Sequence, residues 1–186
     1  MEEPYIHKIF VDRKEQKEPI ALKKYGFVDV AKLTSAKSDM MEEAVFAYPI
    51  KHYTNLQVGE TFNEKIGSKN ENFAVLEMDE YSVFIGDTFR IGEAIIQVSQ
   101  PGPVSVNWLE SGLQTGWYFR VLEEGNIKGG VDLELIDRPY PDWSIAACIE
   151  VVFLNKDDLR TADNLYSCEL LAAVWRRTLR KRLLGF

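Results

Sequence analysis

Apolar and polar positions alternate most cleanly in the middle of the chain. Trp117, Phe119 and Val121 fall on one face of the run from Trp117 to Leu122, with Tyr118 and Arg120 on the other. That period of two predicts a half-buried strand. Val131, Leu133 and Leu135 alternate with Asp132 and Glu134 in the same way. Upstream, Ser82 to Ile85 is β-prone and ends at Gly86-Asp87, a turn signal. Thr88 to Ile91 and Ala94 to Ser99 flank Gly92-Glu93, and glycine first in a two-residue loop predicts a type II′ hairpin. Pro101 and Pro103 end the second of these strands, while Gly125-Asn126 and Gly129-Gly130 read as turns. Short strands at this spacing predict a barrel or a sandwich.

The flanks read differently. Near the start, Tyr5-Ile6 with Ile9-Phe10-Val11 suggests one strand and Gly26 to Val30 another. Met41 to Tyr53 is either a helix cut by Pro49 or a strand running into a helix, with the break near Tyr48, because a residue before proline avoids the helical region. After Arg138-Pro139-Tyr140-Pro141 the apolar spacing becomes helical. Asp142 or Ser144 can cap a helix holding Ile145, Ile149, Val152 and Phe153, and Asp157 or Asp158 a second carrying Leu159, Ala162, Leu165 and Tyr166. Ser167 can cap a third, with Glu169 in its first turn and Leu170, Leu171, Val174, Trp175 and Thr178 on one face. The fold class predicted is mainly β with α, a barrel over residues 1–141 and a three-helix extension over 142–186.

Composition narrows the setting. Apolar residues make up 46% and charged residues 27%, ordinary for a globular protein. The acidic opening Met1-Glu2-Glu3-Pro4 is followed by no apolar stretch, which argues against a secretory signal. No run of roughly 18 apolar residues exists, which argues against a membrane span. Cys148 and Cys168, the only cysteines, make no C-x-x-C spacing and read as reduced thiols of a cytoplasmic protein. With His7 and His52 the only histidines, no structural metal site is expected. The net charge of −7 is uneven: Arg176, Arg177, Arg180, Lys181 and Arg182 fall in the last eleven residues, which contain no acid. Without those five the chain carries 17 bases against 29 acids, a net of −12. An acidic body repels nucleic acid. In a third helix running from Ser167 the basic cluster falls in the last turns and neutralises the helix's own dipole, with an anionic partner as the lesser reading.

Familiar catalytic signatures are missing: there is no G-x-S-x-G elbow, no phosphate loop, no H-E-x-x-H and no calcium loop. The acidic run Glu77, Asp79, Glu80 reads as a solvated turn, Asp87 as the closure of the Gly-Asp turn, and His52 as a capping or packing residue. One longer pattern stands out. Val83-Phe84-Ile85-Gly86-Asp87-Thr88-Phe89-Arg90-Ile91-Gly92-Glu93-Ala94, continuing to Val98-Ser99-Gln100-Pro101, resembles the core signature of MOSC-domain proteins, named for the C-terminal domain of molybdenum cofactor sulfurase. Ala44-Val45-Phe46-Ala47-Tyr48-Pro49 with His52-Tyr53, Glu71-Asn72-Phe73, and Gly116-Trp117-Tyr118-Phe119-Arg120-Val121-Leu122 resemble three further family segments in order. The helical tail, with Trp175-Arg176 and Leu179 to Leu183, resembles the 3-alpha extension of a bacterial branch that includes hydroxylaminopurine-resistance proteins.

The resemblance implies a β-barrel that binds the molybdenum cofactor through a cysteine in a Q-P-R-x-P-C stretch and reduces N-hydroxylated substrates or carries the cofactor's sulfur. It places Glu71, Asn72, Gly102, Ser105 and Arg120 at the cofactor side. Here, however, the stretch reads Gln100-Pro101-Gly102-Pro103-Val104-Ser105, with glycine at the arginine and serine at the cysteine. A hydroxyl is a hard oxygen and does not replace a soft thiolate on molybdenum. The family's His-Gly-Gly falls on Ser38-Asp39-Met40, and the connection from Ser105 to Gly116 is short. Residue by residue, Ser105 also reads as a turn cap, Glu71 and Asn72 as pocket lining or as partners of loop amides, and Arg120 as pointing to solvent or into the cleft. The expectation is a divergent, cofactor-deficient binding module, a pseudoenzyme with no metal ligand. The alternative is a molybdenum-cofactor oxidoreductase or sulfur carrier. The C-terminal helices are the expected route to a second copy or a protein partner.

Overall fold

The computed structural model describes residues 3–27, 37–53, 61–105, 107 and 112–186. Val28 to Val30 of the expected second strand lie outside them. The chain enters β1 (Tyr5–Val11), β2 (Lys14–Glu15) and β3 (Ile20–Leu22), then α1 (Lys37–Glu42), β4 (Val45–Pro49), a 3-10 turn (Ile50–His52) and α2 (Phe62–Lys65). There follow β5 (Phe73–Leu76), β6 (Thr88–Ile91), β7 (Ala94–Pro101), β8 (Trp117–Glu123), β9 (Gly125–Ile127), β10 (Val131–Asp132) and β11 (Glu134–Asp137). Met41 to Tyr53 resolves as helix end, strand and 3-10 turn, so the strand running into a helix is the reading that holds. The break comes at Pro49, one residue after the expected place.

Among the described residues the main sheet runs β10-β1-β5-β4-β8-β7-β6-β11. Neighbours are antiparallel except β4 and β5, which pair in parallel. The two ends of that order, β10 and β11, are separated in the chain by Leu133 alone, so the sheet curls until its edges meet in one run. This corrects the single strand expected from Val131 to Leu135. Val131 and Asp132 pair with Ile6 and Tyr5, while Glu134 and Leu135 pair with Arg90 and Phe89. Leu133 at the crossing is fully buried and Leu135, past it, is 42% exposed. The period of two breaks because the chain changes partner there.

Inside the curl, Phe73, Phe89 and Trp117 set their rings against Phe119 at centroid distances of 6.1 to 6.4 Å. The β6–β7 hairpin follows expectation: Ile91 pairs with Ala94, and Gly92 takes φ 54 while Glu93 is not among the positive-φ residues, the type II′ pattern.

The tail is helical. Ser144 caps α3 (Ile145–Ile149) by accepting from the Ala147 amide, and the chain continues as a π turn, Glu150–Leu154. Asp158 caps α4 (Leu159–Tyr166). The third helix starts later than the sequence suggests: Ser167 ends α4, and α5 is Ala173–Leu183 with no side-chain cap. The reason is tertiary. The Ala172 amide donates to Ser99 O of β7 at 2.9 Å and the Leu171 amide to Cys168 O, which holds residues 168–172 as a turn against the sheet. Cys148, Ile149, Leu165, Leu171 and Leu179 belong to the same apolar core as Ile85, Val98 and Phe119.

Candidate functional site

Where β7 ends, Gly102 donates its amide to Gly116 O at 3.0 Å and the chain leaves through Pro103, Val104 and Ser105. These three, with Phe46 and Tyr48 of β4, Lys69, Gln114 and Thr115, line a cleft of about 260 Å³. Lys69 is the one charged side chain among those lining residues. Ser105 is exposed, and its Oγ accepts from the Asn107 amide at 3.4 Å. Gly102 has no room for anything larger: a Cβ built there meets Thr115 O at 2.1 Å and the Phe46 ring at 2.9 Å. Thr115 and Phe46 fill the place from which a longer side chain at position 102 would emerge.

The acids behind the cleft are structural anchors. Glu71 is 1% exposed, and its Oε1 accepts from the Tyr53 hydroxyl and from the Gly67 amide at 2.7 Å. Its Oε2 accepts from the Lys69 amide at 3.1 Å. Asn72 accepts from the Phe46 amide through Oδ1 and donates to Phe10 O through Nδ2. Of the two readings left open for this pair, holding loop and strand amides is the one these bonds support. Glu80 corrects the solvated turn expected for the acidic run: its relative exposure is 0%. Oε1 accepts from the Thr115 and Gly116 amides at 2.9 and 2.8 Å, and Oε2 lies 2.8 Å from His52 Nε2. The carboxylate thus fixes the wall of the cleft. Nothing in its sequence neighbourhood marked it out, since its partners lie 28 to 36 residues away. Tyr48 sits against His52 and Tyr53, and burial, then the charges of Glu80 and Glu71, push its phenol up to about 12.

Arg120 does not join the cleft. Tyr118, its neighbour on the same strand face, packs on Phe46 at 5.0 Å, but Arg120 lies two residues farther along. There its guanidinium meets the Glu42 carboxylate, Gln97 Oε1 at 2.7 Å and Leu170 O at 2.7 Å. It ties β8, α1 and the turn before α5 together. Asp87 closes its turn as expected, accepting from the Phe84 amide, and is also gripped by Arg138 through two hydrogen bonds. Burial pushes its carboxyl above the ordinary range despite that guanidinium. Among the described residues, Trp117 Nε1 and Gln100 Oε1 are buried without a hydrogen-bond partner.

A sheet curled on itself, a cleft at the end of β7 and three C-terminal helices together define a MOSC-domain protein of the YiiM-like type. Residues 26–103 match the MOSC domain and residues 143–186 the YiiM-like, 3-alpha helix domain, and the chain belongs to this family. It is 31% identical to YflK of Bacillus subtilis (strain 168) over 153 residues, 76% of this chain and 69% of that one. It is 28% identical to YiiM of Escherichia coli (strain K12) over 161 residues, 77% and 70% of the two chains. The crystal structure of YiiM from Geobacillus stearothermophilus superposes with a TM-score of 0.73 at 26% identity, covering 97% and 99%.

The family is linked to the molybdenum cofactor, and the residues present here do not fit a thiolate-held metal. Ser105 offers a hydroxyl, and Gly102 is walled in by Thr115. Both thiols lie elsewhere, Cys148 in α3 and Cys168 in the turn after α4. Burial pushes both upward, Cys148 strongly, so neither is a ready thiolate. Among the described residues no group of three His, Cys, Asp or Glu side chains is placed to hold a metal ion.

Proposed function

We propose that this chain is a MOSC-type binding module that has given up thiolate-ligated molybdenum chemistry and keeps the cleft beside Ser105 as a ligand site. The observation that carries this reading is the corner after β7. Ser105 falls where the resemblance puts the ligand cysteine, and the backbone of Thr115, held by Glu80, sits where a side chain at position 102 would pass. Hydroxyl oxygen is a poor partner for a soft metal centre.

What remains suits recognition. Phe46 and Tyr48 supply an aromatic wall, Lys69 a cation, and Ser105 a hydroxyl, a set suited to a small molecule with one flat apolar face and one anionic group. Binding is the function of the barrel, residues 1–141, and the segment 142–186 braces it through Arg120. No helix among the described residues is long and apolar enough to cross a membrane, and the two unpaired thiols suit a reducing, cytoplasmic setting.

The competing reading, an oxidoreductase or sulfur carrier that holds the molybdenum cofactor by other contacts, draws support from the survival of the cleft. The two separate on one preparation. Protein purified from cofactor-producing cells should contain molybdenum far below one equivalent by elemental analysis and should not reduce N-hydroxylated bases with an added electron donor. Stoichiometric molybdenum with turnover overturns the proposal.

A further inference from the structure

The five bases of the last helix do different things. Arg182 turns inward and donates to Val151 O at 2.7 Å and Val152 O at 2.5 Å, which satisfies carbonyls of the π turn. Arg176, Arg177 and Arg180 instead line, with Tyr166 and Ala173, a groove of about 180 Å³ beside α4 and α5. Arg176 is set in place: its Nε donates to Tyr166 O at 3.1 Å and its guanidinium lies 5.2 Å from the Tyr166 ring centroid. Only Nε is used in that hydrogen bond, and Arg176 shares the groove with Arg177 and Arg180.

The helix dipole favours Arg180, in the last turn of α5, but not the other two arginines of the groove. Because α5 begins at Ala173, Arg176 and Arg177 stand near its positive end, where cations are disfavoured. Counter-charge is also missing. Among the described residues neither Arg176 nor Arg180 has a carboxylate partner, and Arg177 comes no nearer than 3.8 Å to Asp39, both well exposed. A pair so exposed is largely screened by water. Three guanidiniums lining one groove with only that screened carboxylate near them repel one another, and the groove's remaining polar side chain, the Tyr166 hydroxyl, can donate as well.

We propose that this groove is a binding site for a compact phosphate monoester. Guanidinium forks match tetrahedral phosphate oxygens in paired hydrogen bonds, and a dianion relieves the mutual repulsion of the three arginines. The net −12 carried by the rest of the chain disfavours an extended polyanion along its surface, which selects the small ester over nucleic acid.

Calorimetric titration of the full chain in Tris buffer tests it, with glycerol 3-phosphate, inorganic phosphate, glycerol and a mixed-sequence DNA duplex as separate titrants. Glycerol 3-phosphate should bind saturably and glycerol should not. Arg176→Gln and Arg180→Gln should each weaken binding by about tenfold, the loss of one charge-assisted contact. Arg160→Gln, an exposed arginine outside the groove, should leave it unchanged, with thermal melts showing that all three variants fold. Absent binding, binding indifferent to both groove substitutions, binding of inorganic phosphate without the ester, or binding of the duplex alone would each overturn the assignment.

Discussion

Glu80 has no solvent exposure although it sits in a segment, Glu77 to Tyr81, that reads as a charged surface turn. A carboxylate buried that deeply is tolerated only when its oxygens are fully used. Here they are, on two amides of the cleft wall and on His52. Glu80→Ala should therefore destabilise the protein by about 3 kcal/mol, because two buried amides and a histidine lose their acceptor together. Glu80→Gln, which keeps one carbonyl oxygen for the Thr115 and Gly116 amides, should lose about half as much. Urea unfolding measures both. Equal stability of the alanine variant and the parent would mean that these bonds do not fix the wall. Sequence alone did not separate Glu80 from Asp79, which accepts from the Tyr81 and Ser82 amides of its own turn. The distinction depends on a contact across 35 positions.

At the scale of elements, local signals worked where the element's partner was also local. The β6–β7 hairpin was legible because Gly92 solves a backbone problem inside the turn, and the caps at Ser144 and Asp158 because they bond three residues ahead. Three of the misjudged elements share one reason, a distant partner: Gly125-Asn126, read as a turn, is strand β9 paired with β3. The start of α5 is set by the hydrogen bond between Ala172 and Ser99, and the run from Val131 to Asp137 is divided between β1 and β6. Leu133 pins that division, fully buried between two short strands that close the sheet. Leu133→Ala should cost about 3 kcal/mol, in the range for emptying a core leucine site. Native-state hydrogen exchange should show amide protection falling first in β10 and β11. If protection fell evenly through the sheet instead, the closure would not depend on this residue.

For the molecule as a whole, the family pattern announced the architecture. It did not place Thr115 against Gly102, a contact that follows from the pairing of β7 with β8. The core decides how barrel and tail cohere. Leu165, Cys168 and Leu179 from the helices share one continuous core with Val98 and Phe119 from the strands, and Arg120 adds polar bonds across the join. Elements that share one packed core open as one cooperative unit. Leu179→Ala, in the last helix, should then lower the stability of the barrel and the tail equally, by about 3 kcal/mol. Equilibrium hydrogen exchange can read the opening free energy of β8 and of α4 in the same sample. A matched drop in both means that the helices are a wall of the barrel's core, whereas a drop confined to α4 and α5 would make the tail a separate folding unit resting on a finished barrel.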